Sequence, residues 1–150
     1  MDTYTQIYIH IVFRVKNVHN ILNEQNRTIV YKYIIGIIKN IGHKPIIVNG
    51  MADHIHILLG MKPDKNISQT VHEIKRCSTN FINQNKLLAN KKFSWQEGYG
   101  AFSYSHSQLP AIIKYIKSQK NHHIKRTYKE EYLQILKKYN VQYNEKWLDP

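Results

Sequence analysis

From residue 4 to residue 15 the chain alternates: Ile7, Ile9, Ile11 and Phe13 fall on one side, and Tyr8, His10, Val12 and Arg14 on the other. A period of two predicts a strand with one face in a core. Residues 23–41 change to a helical period, with Val30, Ile34, Ile37, Ile38 and Ile41 on one stripe, and Gly42 stands where a capping glycine belongs. Residues 45–48 are short and β-branched, a second strand. Asn49-Gly50 is a turn dipeptide, and residues 53–59 follow as a third strand, the hairpin partner of the second. A second long helix is expected over residues 68–85, with Ser68 as its N-cap and Val71, Ile74, Cys77 or Ser78, Phe81 and Ile82 as its apolar stripe. Residues 93–105, FSWQEGYGAFSYS, read as strand with turns, and residues 109–125 and 129–139 as a third and a fourth helix.

The order β-α-β-β-α-β followed by helices predicts an α+β fold, a ferredoxin-like (RRM-like) antiparallel sheet. In that topology the two helices of the unit cover one sheet face, and the first and third strands are neighbours in the middle. The opposite face is expected to be free for a site, with C-terminal helices beyond the unit. No repeat, linker or long low-complexity tract interrupts the chain, so residues 1–150 are expected to form one domain.

Charge adds a partner to this picture. The formal net charge is +12, from 22 basic and 10 acidic residues, which points to an anionic partner, nucleic acid before membrane. Residues 114–129 carry Lys114, Lys117, Lys120, Lys125, Arg126 and Lys129 and no acid, a run that would attract a phosphate backbone. A single cysteine, Cys77, excludes an internal disulfide and fits a reducing compartment. The N-terminus lacks a basic leader followed by an apolar run, and the longest apolar patch is too short to span a bilayer. A cytoplasmic protein with no membrane partner is expected.

Two features suggest chemistry. In DHIHILL, residues 53–59, His54 and His56 are two apart on a strand and share a face, with Ile55, Ile57 and Leu59 on the other. Two imidazoles at that spacing can hold one metal ion if further ligands arrive from elsewhere, although a bare His-x-His is more often a hydrogen-bonded surface pair. In the third helix, Tyr115 and Gln119 are i,i+4 neighbours with His122 and Arg126 beside them. Leu109, Ile112, Ile113, Ile116 and Ile124 occupy a separate apolar arc, so the core does not claim the tyrosine face. Asp53 precedes the pair but, by strand alternation, points away from it. Trp95 and Tyr99 are of a type that stacks on bases, though aromatic residues in strands usually serve a core.

On these residues the sequence resembles the HUH-type single-tyrosine transposases of small bacterial insertion sequences, including relatives that act on short genomic repeats. His54-Ile55-His56 matches the HUH motif and Tyr115 to Gln119 the Tyr-x-x-x-Gln of the tyrosine helix. HIVFRVK from His10, FSWQEGYGAFSYS from Phe93 and YIKSQKNHH from Tyr115 also match, so the resemblance covers nearly the whole chain in order and spacing. It implies a DNA transposase that cleaves and rejoins single-stranded DNA through a 5′-phosphotyrosine on Tyr115. It implies Mg²⁺ or Mn²⁺ held by His54, His56 and Gln119, a homodimer, and DNA hairpins near the element ends as partners. Imidazole ligands favour Mn²⁺ over Mg²⁺. From the predicted sheet order, His10 is expected near His54 and His56, as a group supporting them or a phosphate contact, with an ordinary hydrogen-bonded sheet histidine as the equal alternative. The competing reading is a non-catalytic module binding single-stranded DNA or RNA hairpins; it has no use for a tyrosine, a glutamine and two histidines brought together.

Overall fold

The structure is a computed structural model. It describes residues 2–123 and 126–148, without the side chains of residues 122 and 123. Four strands, β1 (Tyr8–Arg14), β2 (Lys44–Gly50), β3 (His54–Gly60) and β4 (Gly100–Tyr104), form one antiparallel sheet in the order β2-β3-β1-β4. The fold is therefore the expected α+β, ferredoxin-like arrangement, with β1 and β3 central. The edge strand β2 shifts register between Pro45 and Ile47. Proline lacks the N–H that a ladder needs, and an edge accommodates it.

Helix α1 (Glu24–Ile41) begins behind Asn23, whose side chain accepts from the Asn26 N–H, and ends at Gly42 with φ 111°. That left-handed cap is the conformation glycine adopts at least cost. Helix α2 (Ile67–Gln84) is capped by Asn66, not by Ser68: the Asn66 side chain accepts from the Gln69 N–H. Both helices pack on one sheet face. Ile9, Ile11, Phe13, Ile55, Ile57 and Leu59 meet Ile34, Ile38, Ile74 and Ile82 there. Full burial of each such side chain is worth roughly 1.5–3 kcal/mol, so this layer dominates the stability. Ile7 lies ahead of β1 and is 38% exposed, so the apolar alternation outlasts the ladder by a residue. Trp95 belongs to this layer too, edge-on to Phe13 and Phe93, its indole N–H donating to the Ser78 hydroxyl at 2.9 Å. Tyr99 is exposed.

The second face is not open. Three C-terminal helices cover it: α3 (Leu109–Lys117), α4 (Gln119–His123) and α5 (Tyr128–Lys138). Leu58 packs on Ile112 and Ile116 of α3; Val12 and Phe102 pack on Tyr128 and Leu136 of α5. The Asn49 side chain donates to the Ile116 carbonyl at 2.9 Å and ties α3 to β2. The single helix expected over residues 109–125 is interrupted at Ser118, whose hydroxyl bonds back to the Lys114 carbonyl at 2.8 Å. Such i−4 back-bonding bends helices. Residues 124 and 125 lie outside the described chain, as do the side chains of His122 and His123. Among the described residues no helix is long and apolar enough to cross a membrane.

Candidate metal and nucleophile site

The strand period does what it predicts for the histidine pair. His54 and His56 leave β3 on the second face, opposite Arg14 and Val12 of β1. Because α3 to α5 cover that face, both imidazoles are buried. His10 projects from β1 onto the same face, diagonal to His56, and its Nε2 lies 2.8 Å from His56 Nδ1. The expectation that His10 neighbours the pair therefore holds. Burial, aided by the nearness of His56 and opposed by Glu131, pushes the His10 pKa well below the ordinary histidine value.

Asp53 departs from the alternation argument. It sits in the bend between β2 and β3, outside the ladder, and its Oδ1 lies 2.8 Å from His54 Nδ1. A carboxylate on Nδ1 fixes the ring and leaves Nε2 pointing inward. There, His54 Nε2 faces Gln119 Oε1 at 3.0 Å. Gln119 is fully buried and opens α4, so the break at Ser118 separates it from the tyrosine helix without removing it from the site.

The residue missed in the sequence is Glu131, on α5. Its carboxylate is 1% exposed, and its Oε1 lies 3.0 Å from His56 Nε2. Oε1 also accepts from the Gln119 amide at 3.2 Å and from the Tyr115 hydroxyl. Its Oε2 is 3.8 Å from His54 Nε2. Burial alone would raise the Glu131 pKa, but the hydrogen bond and charge of His56, then the Tyr115 hydroxyl and His54, outweigh it and hold the carboxyl well below the ordinary range. Glu131 had a signal in the sequence. It stands three residues after Tyr128 and four before Ile135, inside the apolar stripe of α5, where a charge needs a partner.

Tyr115 is half-buried, its ring edge-on to His56 at 5.8 Å between centroids. Burial first, then Glu131, raises its pKa above the ordinary tyrosine value of 10. Arg126 is near enough to oppose that shift and lines the same cavity.

The donor atoms suit a divalent cation. One ligand atom each from His54, His56 and Glu131 lie within 4.8 Å of one another, all on buried side chains. With Nδ1 of His54 donating to Asp53, its Nε2 lone pair faces the Gln119 carbonyl oxygen. Two electron-pair donors at that separation require a proton or a metal cation. Two imidazoles with carboxylate and amide oxygens suit Mn²⁺ and similar ions better than an all-oxygen Mg²⁺ shell.

Comparison with known proteins identifies the family. The model of the IS200-like transposases matches residues 3–119. The chain belongs to the IS200-like transposases. It is an HUH-type single-tyrosine member of that family, as the motifs imply. None of the curated proteins matches the sequence. Among solved structures, a Deinococcus radiodurans R1 protein assigned as a transposase superposes with a TM-score of 0.62 at 20% identity, covering 79% of this chain and 95% of that one. A REP-associated tyrosine transposase bound to a REP hairpin superposes with a TM-score of 0.60 at 16% identity, covering 82% and 72%. At those identities the likeness concerns the fold. The family match ends at Gln119, so α5 and Glu131 of this transposase lie beyond it.

Proposed function

We propose that this transposase cuts and rejoins single-stranded DNA with Tyr115 as the nucleophile. The observation that supports this best is the meeting of Tyr115, His56 and Glu131 in one chain: the phenol and the imidazole share one carboxylate oxygen. The Tyr115 oxygen attacks a backbone phosphorus and forms a 5′-phosphotyrosine. The bond to the 3′-oxygen breaks, and that oxygen leaves as a free 3′-hydroxyl. Reversal by a 3′-hydroxyl reseals a strand, with no water or nucleoside triphosphate consumed.

A protonated phenol is a modest nucleophile, and burial keeps Tyr115 protonated near neutrality. Glu131, held as a carboxylate at the hydroxyl, is placed to take that proton. His54, His56 and Gln119 are the ligands that we assign to Mg²⁺ or Mn²⁺, with Glu131 as a further candidate donor. When bound, the ion supplies Lewis-acid stabilisation of the charge that builds on the phosphate. Asp53 positions His54, and His10 positions His56.

The partner in this reading is single-stranded DNA carrying hairpins, in keeping with the REP hairpin bound by the similar structure; the reading also has the protein acting as a homodimer. The basic residues Lys114, Lys117 and Lys120 give a phosphate backbone its electrostatic attraction.

The test incubates the protein with single-stranded DNA from the flanks of its own gene and Mn²⁺ or Mg²⁺. A denaturant-resistant protein–DNA band is expected, absent in Tyr115→Phe, while hairpin binding is kept. Hairpin binding with no adduct in the wild type would replace this reading with that of a non-catalytic binder.

A further inference from the structure

Between α3 and α5, above β1 and β4, lies a cavity of about 450 Å³. Its volume is in the range of small-ligand sites. Tyr115 and Glu131 form one wall, so whatever fills the cavity sits beside the phenol. Tyr104 and Tyr139 form another, ring against ring at 90°, with Ile112 and Ile135 adding apolar surface. Arg126 and Lys138 also line it and bring positive charge.

His10 gives the cavity its polar element. The residue is fully buried and lines the cavity. One ring nitrogen is engaged by His56; the other, Nδ1, is buried and has no hydrogen-bond partner among the described residues. An unsatisfied buried polar atom is costly, and a ligand that supplies a partner recovers the loss.

We propose that this cavity is a nucleobase subsite that takes the base of the nucleotide flanking the scissile phosphate; this rests on the tyrosine chemistry proposed above. A base offers a flat face to Tyr104 and Tyr139, and stacking of this kind tolerates any base. It also offers a hydrogen-bonding edge to His10 Nδ1, which discriminates among bases. Its phosphate finds Arg126 and Lys138. A purely apolar ligand would leave His10 unsatisfied, and a bare phosphate would leave the aromatic wall unused. Glu131, Gln134, Ile135 and Lys138 of the lining come from α5, beyond the family match, so this subsite depends on that helix.

The test adds each of the four deoxynucleoside 5′-monophosphates, and separately inorganic phosphate, to the full metal-free chain. NMR follows the His10 imidazole and the Ile112 and Ile135 methyl groups. Saturable, base-selective shifts at all three residues are expected, weakened by about tenfold or more in Ala111→Trp. Ala111 is an exposed lining residue, so an indole there blocks the cavity without entering the core. The subsite is overturned if no nucleotide gives a saturable shift, if inorganic phosphate reproduces the shifts, or if Ala111→Trp leaves them intact. Because the readout needs neither metal nor cleavage, a missing covalent adduct beside intact base-selective binding counts against the tyrosine chemistry alone. An adduct beside an empty cavity counts against the subsite alone.

Discussion

Tyr115 and His56 meet on a single oxygen atom: Oε1 of Glu131 accepts from the phenol and lies 3.0 Å from His56 Nε2. The candidate nucleophile and the candidate metal ligand are thus joined by a carboxylate from a third element, α5. If that carboxylate takes the phenol proton, Glu131→Gln, which keeps the shape and removes the charge, should slow adduct formation by about 100-fold or more. Single-turnover adduct formation on a denaturing gel measures this. DNA affinity, read by electrophoretic mobility, should change little.

The same carboxylate gives the metal-free protein a pH dependence. The Glu131 pKa is lower in the fold than its ordinary value of 4.5. A depressed acid stabilises the fold above its unfolded pKa, and that contribution is lost as pH falls through the folded value. Acidification below about 4.5 should therefore lower the melting temperature of the wild type more than that of Glu131→Gln. Parallel decline in the two proteins would remove Glu131 from this role.

Metal should stabilise the fold through His54 and His56. At a concentration about 100 times the dissociation constant, Mn²⁺ should add about 2.7 kcal/mol. His56→Ala should abolish that gain. Asp53→Ala should weaken Mn²⁺ binding by about 10–100-fold, because His54 loses the carboxylate that orients it. Asp53 is 47% exposed on its side chain, so its loss should not unfold the protein. Calorimetric titration of the three proteins gives the comparison.

Gly50 sets the approach of β2 to the start of β3. A Cβ there would lie 2.3 Å from the His54 carbonyl oxygen and 2.9 Å from the Ile55 Cα. Both are backbone atoms, so the hairpin itself would have to shift. Gly50→Ala should cost about 1–3 kcal/mol and blunt the stabilisation by Mn²⁺. Thermal melts with and without the ion separate the two effects.

Much of this was legible in the sequence, for physical reasons. Alternation in residues 8–14 and 54–60 fixes which side chains share a face, so the pairing of His54 with His56 and the nearness of His10 follow from a period of two and a sheet order. Gly42 marks a helix end because few other residues adopt its backbone. Four features escaped. Ser118 interrupts a helical pattern through a side-chain bond that periodicity does not contain. Asp53 reaches His54 from a bend, where strand alternation does not apply. The open face is covered by α3 to α5, and amphipathic helices do not announce in sequence which surface they will cover. Glu131 was hidden for a related reason: an acid in the first turn behind the Thr127 cap is ordinarily explained by the helix dipole.

The division of the chain at residue 119 has an evolutionary consequence. The histidines and the tyrosine lie within the family match, whereas the carboxylate that joins them belongs to a helix after it. On the proposed chemistry, substitutions in that helix would alter how the ion is held and how the phenol gives up its proton, while every motif residue stays as it was. Two transposases identical across the motifs would then differ in how readily they cut, and, on that chemistry, a lineage would quieten or waken its element by drift in a segment that no motif records.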